Sequence, residues 1–141
     1  MSDSKIKIIE CPRDAMQGIK DFIPTIEKVR YIQSLLGCGF DTLDFGSFVS
    51  PKAIPQMVDT AEVLSNLDLS ETKTKLLAIV ANVRGAEEAV LHPEIEYLGF
   101  PFSISENFQM RNTHKTIAQS VETLQEIFNL ADAANKEVVT Y

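Results

Sequence analysis

Short apolar runs alternate with amphipathic stretches along this chain, and that alternation restricts the fold more than any other feature. The clearest run, Leu76 to Ala81, is unbroken, as expected for a parallel strand buried on both faces. Strands are also predicted at 5–10, 40–48 and 95–102, and from Glu137 to the last residue. Helix-like stretches separate these runs, so the predicted order is β-α-β-α-β-α-β-α-β. Such an order indicates a parallel sheet with right-handed crossovers.

The helix-like stretches carry start signals as well as apolar spacing. Pro24 and Thr25 open the first helix, and Asn82 can cap the third. Thr116 and Gln119 have the spacing of a capping box at the start of the fourth. The residues predicted to face inward are, helix by helix, Ile26, Val29, Ile32, Leu35 and Leu36; Ile54, Met57, Val58, Ala61 and Leu64; Val83, Ala86 and Val90; and Ile117, Val121, Leu124, Phe128 and Ala131.

Two parallel architectures are compatible with this order, and the segment after the first strand separates them. A doubly wound open sheet usually carries a glycine-rich phosphate loop there. This chain has Pro12-Arg13-Asp14 instead, and it contains no G-x-G-x-x-G or Walker sequence. This absence weakens the case for a doubly wound sheet and favours, within the α/β class, a TIM (β/α)8 barrel, which needs roughly 250 residues. We expect residues 1–141 to form a single domain, the N-terminal part of a truncated barrel, with four βα units and the start of strand 5.

Charge and composition exclude several classes of partner. The chain has 13 Lys and Arg against 20 Asp and Glu, a net charge of −7. That balance argues against binding to nucleic acid or to an anionic membrane surface. No apolar run approaches the roughly 20 residues of a membrane span, and no signal peptide is expected. Cys11 and Cys38 form no metal-binding or disulfide pattern, which favours a cytoplasmic protein with reduced thiols.

Arg13 and Asp14 stand where the first strand ends, in a stretch predicted to be a long loop at 11–23. In an α/β barrel the carboxyl ends of the strands carry the chemistry. An arginine there can stabilise an oxyanion, and an aspartate can bind a divalent metal. A surface ion pair is the alternative. Asp44 lies inside a predicted buried strand, where a carboxylate is costly without a cation or metal partner.

Several motifs resemble those of 3-hydroxy-3-methylglutaryl-CoA lyase. Ile-Ile-Glu-Cys-Pro-Arg-Asp-Ala-Met-Gln occupies 8–17, and Phe-Gly-Ser-Phe-Val-Ser-Pro-Lys occupies 45–52, followed by Pro-Gln-Met at 55–57. Asn-x-x-Gly at 82–85 and the serine and glutamate at 105–106 keep the same order. The run Ser-Phe-Val-Ser-Pro-Lys followed by Pro-Gln-Met is the most specific part. The resemblance covers the whole chain but only the N-terminal part of the family's barrel.

The resemblance implies a metal-dependent carbon–carbon lyase of the oxo-acid-lyase type, acting in leucine catabolism and ketone body metabolism. Such an enzyme cleaves 3-hydroxy-3-methylglutaryl-CoA to acetoacetate and acetyl-CoA, with Mg²⁺ or Mn²⁺ as Lewis acid. The implied partner is an acyl-CoA substrate, and the parent enzyme is expected to be a homodimer.

The resemblance also assigns roles to individual residues. Arg13 and Asp44 are implied catalytic groups, and Asp14 is an implied metal ligand. Gln17, Ser47 and Asn82 are the implied substrate-binding residues. Asp44 stands where the family usually has glutamate, one methylene longer. The family's His-x-His metal ligands and its catalytic cysteine loop are not in this sequence.

Two other readings stay open at this point. The chain could belong to a related acyl-CoA or oxo-acid lyase or synthase of the same superfamily. It could also be a half barrel without catalysis, which serves folding or association. Because the implied metal ligands are incomplete, we expect the 141 residues on their own to lack lyase activity.

Overall fold

The computed structural model describes residues 6–141, and their strands form one sheet. The strands are β1 Ile9–Glu10, β2 Thr42–Ser47, β3 Lys75–Ile79, β4 Ile95–Phe100 and β5 Glu137–Thr140. The helices are α1 Pro12–Gln17, α2 Thr25–Leu36, α3 Thr60–Ser65, α4 Val83–Ala89, α5 Glu106–Thr113 and α6 Ile117–Ala133, with a 3-10 turn at Pro55–Met57. No helix in the described range is both long and apolar enough to cross a membrane.

The sheet is parallel throughout and its strands are neighbours in sequence order, β1-β2-β3-β4-β5. One face packs against the helices and contains the main hydrophobic core. The other face carries a small cluster of Leu77, Ile79 and Tyr97, with Val49 and Val139 against it. A doubly wound sheet would carry helices on both faces and reverse its strand order. The arrangement is that of a barrel segment, as the sequence predicted.

The first strand differs from the prediction. Strand 5–10 is observed only as Ile9–Glu10, and Lys5 lies outside the described residues. A nearly continuous apolar run predicts a strand buried on both faces here as well, and this prediction is wrong, since Ile6, Ile8 and Ile9 are exposed. β1 pairs with β2 alone and is two residues long, so few neighbours can cover its apolar side chains.

Several predictions for the helices also need correction. The predicted loop 11–23 contains α1, and the predicted second helix is divided into the 3-10 turn and α3, which leaves Val58 exposed. On α2, Ile26 is exposed rather than inward. On α6, Val121 and Phe128 are exposed as well. The buried residues of α6 are Ser120, Thr123, Ile127 and Ala131, so Ala131 faces inward as predicted, and Leu124 packs against the core.

α3 and α4 approach the sheet through two glycines. A Cβ on Gly46 of β2 would lie 2.5 Å from Thr60 Cγ2 of α3, and a Cβ on Gly85 of α4 would lie 2.6 Å from the Phe48 carbonyl oxygen. The Ser47 amide also donates to Thr60 Oγ1 at 3.1 Å. Only glycine allows these contacts, so the outer helices sit directly on the end of β2.

Candidate active site

Asp44 lies in β2 just before an irregularity in the sheet. Asp44 pairs with Leu77 and Gly46 pairs with Ala78, so Phe45 is an additional residue on this strand. Leu43 and Phe45 pack in the core beneath the helices. Because side chains alternate along a strand, Asp44 lies on the face opposite the main core.

Arg13 of α1 is the partner that the buried carboxylate of Asp44 requires. Arg13 Nε lies 3.0 Å and 3.1 Å from the two carboxylate oxygens, and Nη2 lies 2.6 Å from Oδ2. Arg13 is only 8% exposed and Asp44 only 4% exposed. The missing methylene relative to glutamate therefore does not prevent contact with Arg13. This is a bidentate, charge-assisted pair in a desolvated position.

Burial and ion pairing shift the pKa of each of these two groups in opposite directions. Burial raises the pKa of Asp44 above its ordinary value, although the hydrogen bonds from Arg13 oppose this change. For Arg13, burial alone would lower the pKa, but the hydrogen bonds and charge of Asp44 raise it overall. The guanidinium therefore stays charged inside the fold, as an electrostatic role requires.

Gln17 and Asp14 complete the surroundings of the guanidinium. Arg13 Nη1 donates to Gln17 Oε1 at 2.9 Å and lies 3.4 Å from Asp14 Oδ1. Gln17 Nε2 also donates to Asp14 Oδ1 at 2.9 Å. The Asp14 side chain is 65% exposed. Thus Arg13, Asp14, Gln17 and Asp44, all selected from the sequence, form one connected network.

Ser47 and Asn82 lie together in a different place. Both line a cleft of about 210 Å³ between α3 and α4, at the carboxyl ends of β2 and β3, and none of the four network residues lines it. The Ser47 hydroxyl accepts from the Val49 amide at 3.2 Å. Asn82 Oδ1 accepts from the Gly85 amide at 2.8 Å, which confirms the predicted cap of α4. Both side chains therefore hold local backbone in addition to lining the cleft.

The described residues do not by themselves form a metal centre. Within residues 6–141 no three His, Cys, Asp or Glu side chains are grouped closely enough to hold a metal ion. Both oxygens of Asp44 are engaged by Arg13, which leaves the exposed Asp14 as the donor in this network. One carboxylate is a suitable ligand for Mg²⁺ or Mn²⁺ but fills only part of their coordination shell.

Two features near the network were not found from the sequence. The ring of Tyr141 approaches Gly99 on the face of the sheet opposite the main core. Partial burial together with the charge of Asp44 raises the pKa of Tyr141 to about 12. No local motif marks this tyrosine, because its position depends on the pairing of β5 with β4. The second feature is a buried cluster of Lys28, Gln56 and Asp59 beside α1, whose residue types usually indicate surface positions.

The cysteines and histidines show no catalytic arrangement in the described part of the chain. Cys11 and Cys38 are free and exposed. Partial burial and the charge of Asp44 raise the pKa of Cys11, which disfavours a thiolate. His92 stacks on Phe48 with ring centroids 5.4 Å apart, and His114 ends α5 in the left-handed conformation.

Comparison with known proteins identifies relatives over nearly the whole chain. No family profile matches it. The mitochondrial hydroxymethylglutaryl-CoA lyase of Gallus gallus is 33% identical over 140 residues, which are 97% of this chain and 46% of that protein. A Pseudomonas aeruginosa protein named 3-hydroxy-3-isohexenylglutaryl-CoA/hydroxymethylglutaryl-CoA lyase is 33% identical over 128 residues, 90% of this chain and 42% of that protein.

Solved structures lead to the same group. The HMG-CoA lyase of Bacillus subtilis matches with a TM-score of 0.90 and 33% identity, over 97% of this chain and 46% of that one. An HMG-CoA lyase of Acinetobacter baumannii, solved with coenzyme A and 3-methylmalate, matches with a TM-score of 0.86 and 28% identity, over 96% of this chain and 45% of that one. The chain thus spans less than half the length of the relatives it matches.

Proposed function

This chain is related in sequence and fold to hydroxymethylglutaryl-CoA lyases and forms part of a TIM barrel, and from this we propose that it is part of a metal-dependent carbon–carbon lyase. The proposed reaction cleaves 3-hydroxy-3-methylglutaryl-CoA to acetoacetate and acetyl-CoA. The observation that carries the proposal is the buried Arg13–Asp44 pair with Asp14 beside it, at the strand end where barrel enzymes place their chemistry.

The reaction has a clear electrostatic requirement. The tertiary hydroxyl loses its proton to a base, and the C2–C3 bond breaks as the hydroxyl carbon becomes a carbonyl. The electron pair of that bond passes to the thioester as an enolate, whose carbon then takes up a proton. A positioned cation at the enolate oxygen lowers the barrier because it stabilises charge that develops only in the transition state.

Arg13 has the properties of that cation. Of its five N–H groups, Nε and one Nη2 hydrogen meet Asp44, and Nη1 faces Gln17 and Asp14. The second hydrogen of Nη2 remains to donate to an enolate oxygen. Asp44 acts here as the group that holds Arg13 in place and keeps its charge.

Asp14 is the proposed metal ligand on this chain. Its carboxylate is exposed and is oriented by hydrogen bonds from Gln17 and Arg13. A bound Mg²⁺ or Mn²⁺ would polarise the substrate hydroxyl and carboxylate as a Lewis acid. Ser47 and Asn82 are proposed to contact substrate from the neighbouring cleft. An acyl-CoA substrate is supported by the coenzyme A bound in the Acinetobacter baumannii relative.

The proposal is tested with the protein at its full encoded length. Purified protein is incubated with 3-hydroxy-3-methylglutaryl-CoA, and acetyl-CoA release is measured with Mg²⁺, with EDTA, and after Mg²⁺ is restored. We expect release only with metal. Asp14→Asn should raise the Mg²⁺ concentration needed for half-maximal activity, while Asp68→Asn should not, because Asp68 is exposed and bonds to Gln33 and Ser70 outside the network. No acetyl-CoA release under any of these conditions would refute the proposed reaction.

The substrate, assembly and location remain proposals as well. The Pseudomonas aeruginosa relative is named for two substrates, so 3-hydroxy-3-isohexenylglutaryl-CoA is the competing substrate in the same assay. A homodimer is proposed and is tested by light scattering. The Gallus gallus relative is named as mitochondrial, and the cytoplasmic location predicted here is tested by cell fractionation.

A further inference from the structure

One glutamine outside the network makes an unusual set of backbone contacts. Gln56 is 4% exposed, and its side chain satisfies three backbone groups of the segment at 18–24. Gln56 Nε2 donates to the carbonyl oxygens of Ile19 and Asp21, both at 3.0 Å. Gln56 Oε1 accepts from the Ile23 amide at 2.9 Å. A segment without regular structure thus has three partly buried backbone groups that all bond to one side chain.

The backbone of Gln56 is itself held in place. Its carbonyl oxygen accepts a hydrogen bond from Lys28 Nζ, and Lys28 is 2% exposed. Lys28 also forms an ion pair of 2.6 Å with Asp59 Oδ1, and Asp59 Oδ2 accepts from Thr25 Oγ1 at 2.8 Å. The contacts join the start of α2 to the 3-10 turn. Gln56 therefore projects from a rigid base.

The segment that Gln56 holds continues directly from α1. The Ile19 amide donates to the Met16 carbonyl at 3.0 Å, and Met16 is buried in the core. α1 has only six residues and no side-chain bond at its N-cap, so it is too short to be stable without external contacts. Its position must therefore come from what packs against it and from how the chain leaves it.

We infer that Gln56 is a positioning residue, which fixes the exit of α1 and thereby aligns the Arg13 guanidinium with Asp44. Arg13 and Asp44 belong to different elements, and their contacts of 2.6 to 3.1 Å tolerate little movement of α1. A catalytic arginine must be held within about 0.5 Å of its productive geometry. The catalytic part of this inference rests on the proposed lyase function.

The direct test measures how firmly Arg13 is held in the protein at its full encoded length. Gln56→Met removes the three backbone contacts at similar side-chain volume. Gln33→Met is the matched control, since Gln33 bridges the backbone amide and carbonyl of Asp68 in the same manner, away from the network. Hydrogen exchange of the Arg13 Nε–H and of the α1 amides is followed by ¹⁵N NMR. We expect exchange to be about tenfold faster or more in Gln56→Met and unchanged in Gln33→Met.

Kinetics provide the second measurement. Gln56→Met should lower kcat about tenfold or more with little change in KM, because the Arg13 contact proposed here forms in the transition state. If Gln56→Met does not fold, Gln56→Asn replaces it, since the shorter amide stays neutral and polar but cannot reach all three backbone groups. An unchanged Arg13 exchange rate in the Gln56 variant, or an equal increase in the Gln33 variant, would overturn the inference. Absence of lyase activity in the unmodified protein would instead refute the proposed function, and the exchange comparison would still decide positioning.

Discussion

Replacing Arg13 with methionine should destabilise the fold as well as impair the proposed chemistry. From the family resemblance alone, Arg13→Met would be expected to slow turnover with little structural effect. The structure changes this expectation, because Arg13 supplies the contacts that neutralise a carboxylate only 4% exposed. Without Arg13, the Asp44 charge would remain buried and unpaired.

The burial and pairing of Arg13 and Asp44 set the expected loss of stability. Removing one partner of a buried ion pair costs about 3–5 kcal/mol of the free energy of unfolding. Asp44→Leu should cost about 3 kcal/mol, at the lower end, because Arg13 keeps Gln17 and Asp14 as acceptors. The double variant, Arg13→Met with Asp44→Leu, leaves no buried charge and should lose about 2 kcal/mol or less.

Urea unfolding followed by circular dichroism gives the free energy of unfolding of the three variants and of the unmodified protein at two pH values. Burial already raises the pKa of Asp44, and losing Arg13 raises it further. A carboxyl with a raised pKa holds more protons in the folded state, so stability falls as pH rises through the window between its unfolded and folded pKa values. The cost of Arg13→Met should therefore be larger at pH 7 than at about pH 4.5.

Additivity is the result that would refute this reasoning. If the double variant loses as much stability as the two single variants together, Arg13 and Asp44 are not energetically coupled. The reasoning would also fail if the loss of stability caused by Arg13→Met were the same at both pH values, because an unpaired Asp44 carboxylate makes that loss depend on pH.

Two further changes test the packing around this site, each with a matched control. Gly85→Ala should lower stability by about 1–3 kcal/mol, because its Cβ would lie 2.6 Å from the Phe48 carbonyl oxygen, whereas Gly18→Ala meets nothing within 4 Å and should change little. Lys28→Met should cost about 3 kcal/mol because it leaves a buried carboxylate without its cation, while Arg30→Met, at an exposed ion pair, should cost about 0.5 kcal/mol or less. Thermal melts check both pairs, and equal losses within a pair would contradict the packing argument.

The elements that could be predicted are those with local signals. The run at Leu76 to Ala81 overlaps β3, and the caps at Asn82 and Thr116 begin α4 and α6 as expected. The buried face of α6 was predicted only in part, with Ala131 buried as expected, because it also includes Ser120 and Thr123, which an apolar pattern assigns to the surface. Gln109 donates to the Ser120 hydroxyl at 2.6 Å, and a contact over eleven residues leaves no periodic trace in the sequence.

The part of the site that could be predicted is the part where a buried charge requires a partner. A carboxylate in a buried strand needs a partner, and Asp44 has Arg13. The contacts of the Gln56 side chain with the segment at 18–24 could not be predicted from residue types. Its three hydrogen-bond partners are all backbone groups, so no side chain in the sequence identifies them. Such a contact becomes visible only when the path of the chain is known.

The close approach of Gly46 and Thr60 restricts the order in which this sequence can evolve. An alanine at position 46 would place its Cβ 2.5 Å from Thr60 Cγ2, so it is damaging while threonine remains. Serine at position 60 removes that methyl group and keeps the hydroxyl that bonds to the Ser47 amide. A lineage can therefore reach the alanine–serine pair through serine first, whereas the opposite order passes through an overpacked intermediate. The two positions form an epistatic pair in which the Thr60 methyl group makes the shortest contact, while the distances of 3.1 Å to Thr60 Oγ1 and 3.3 Å to Thr60 Cβ still have to be accommodated.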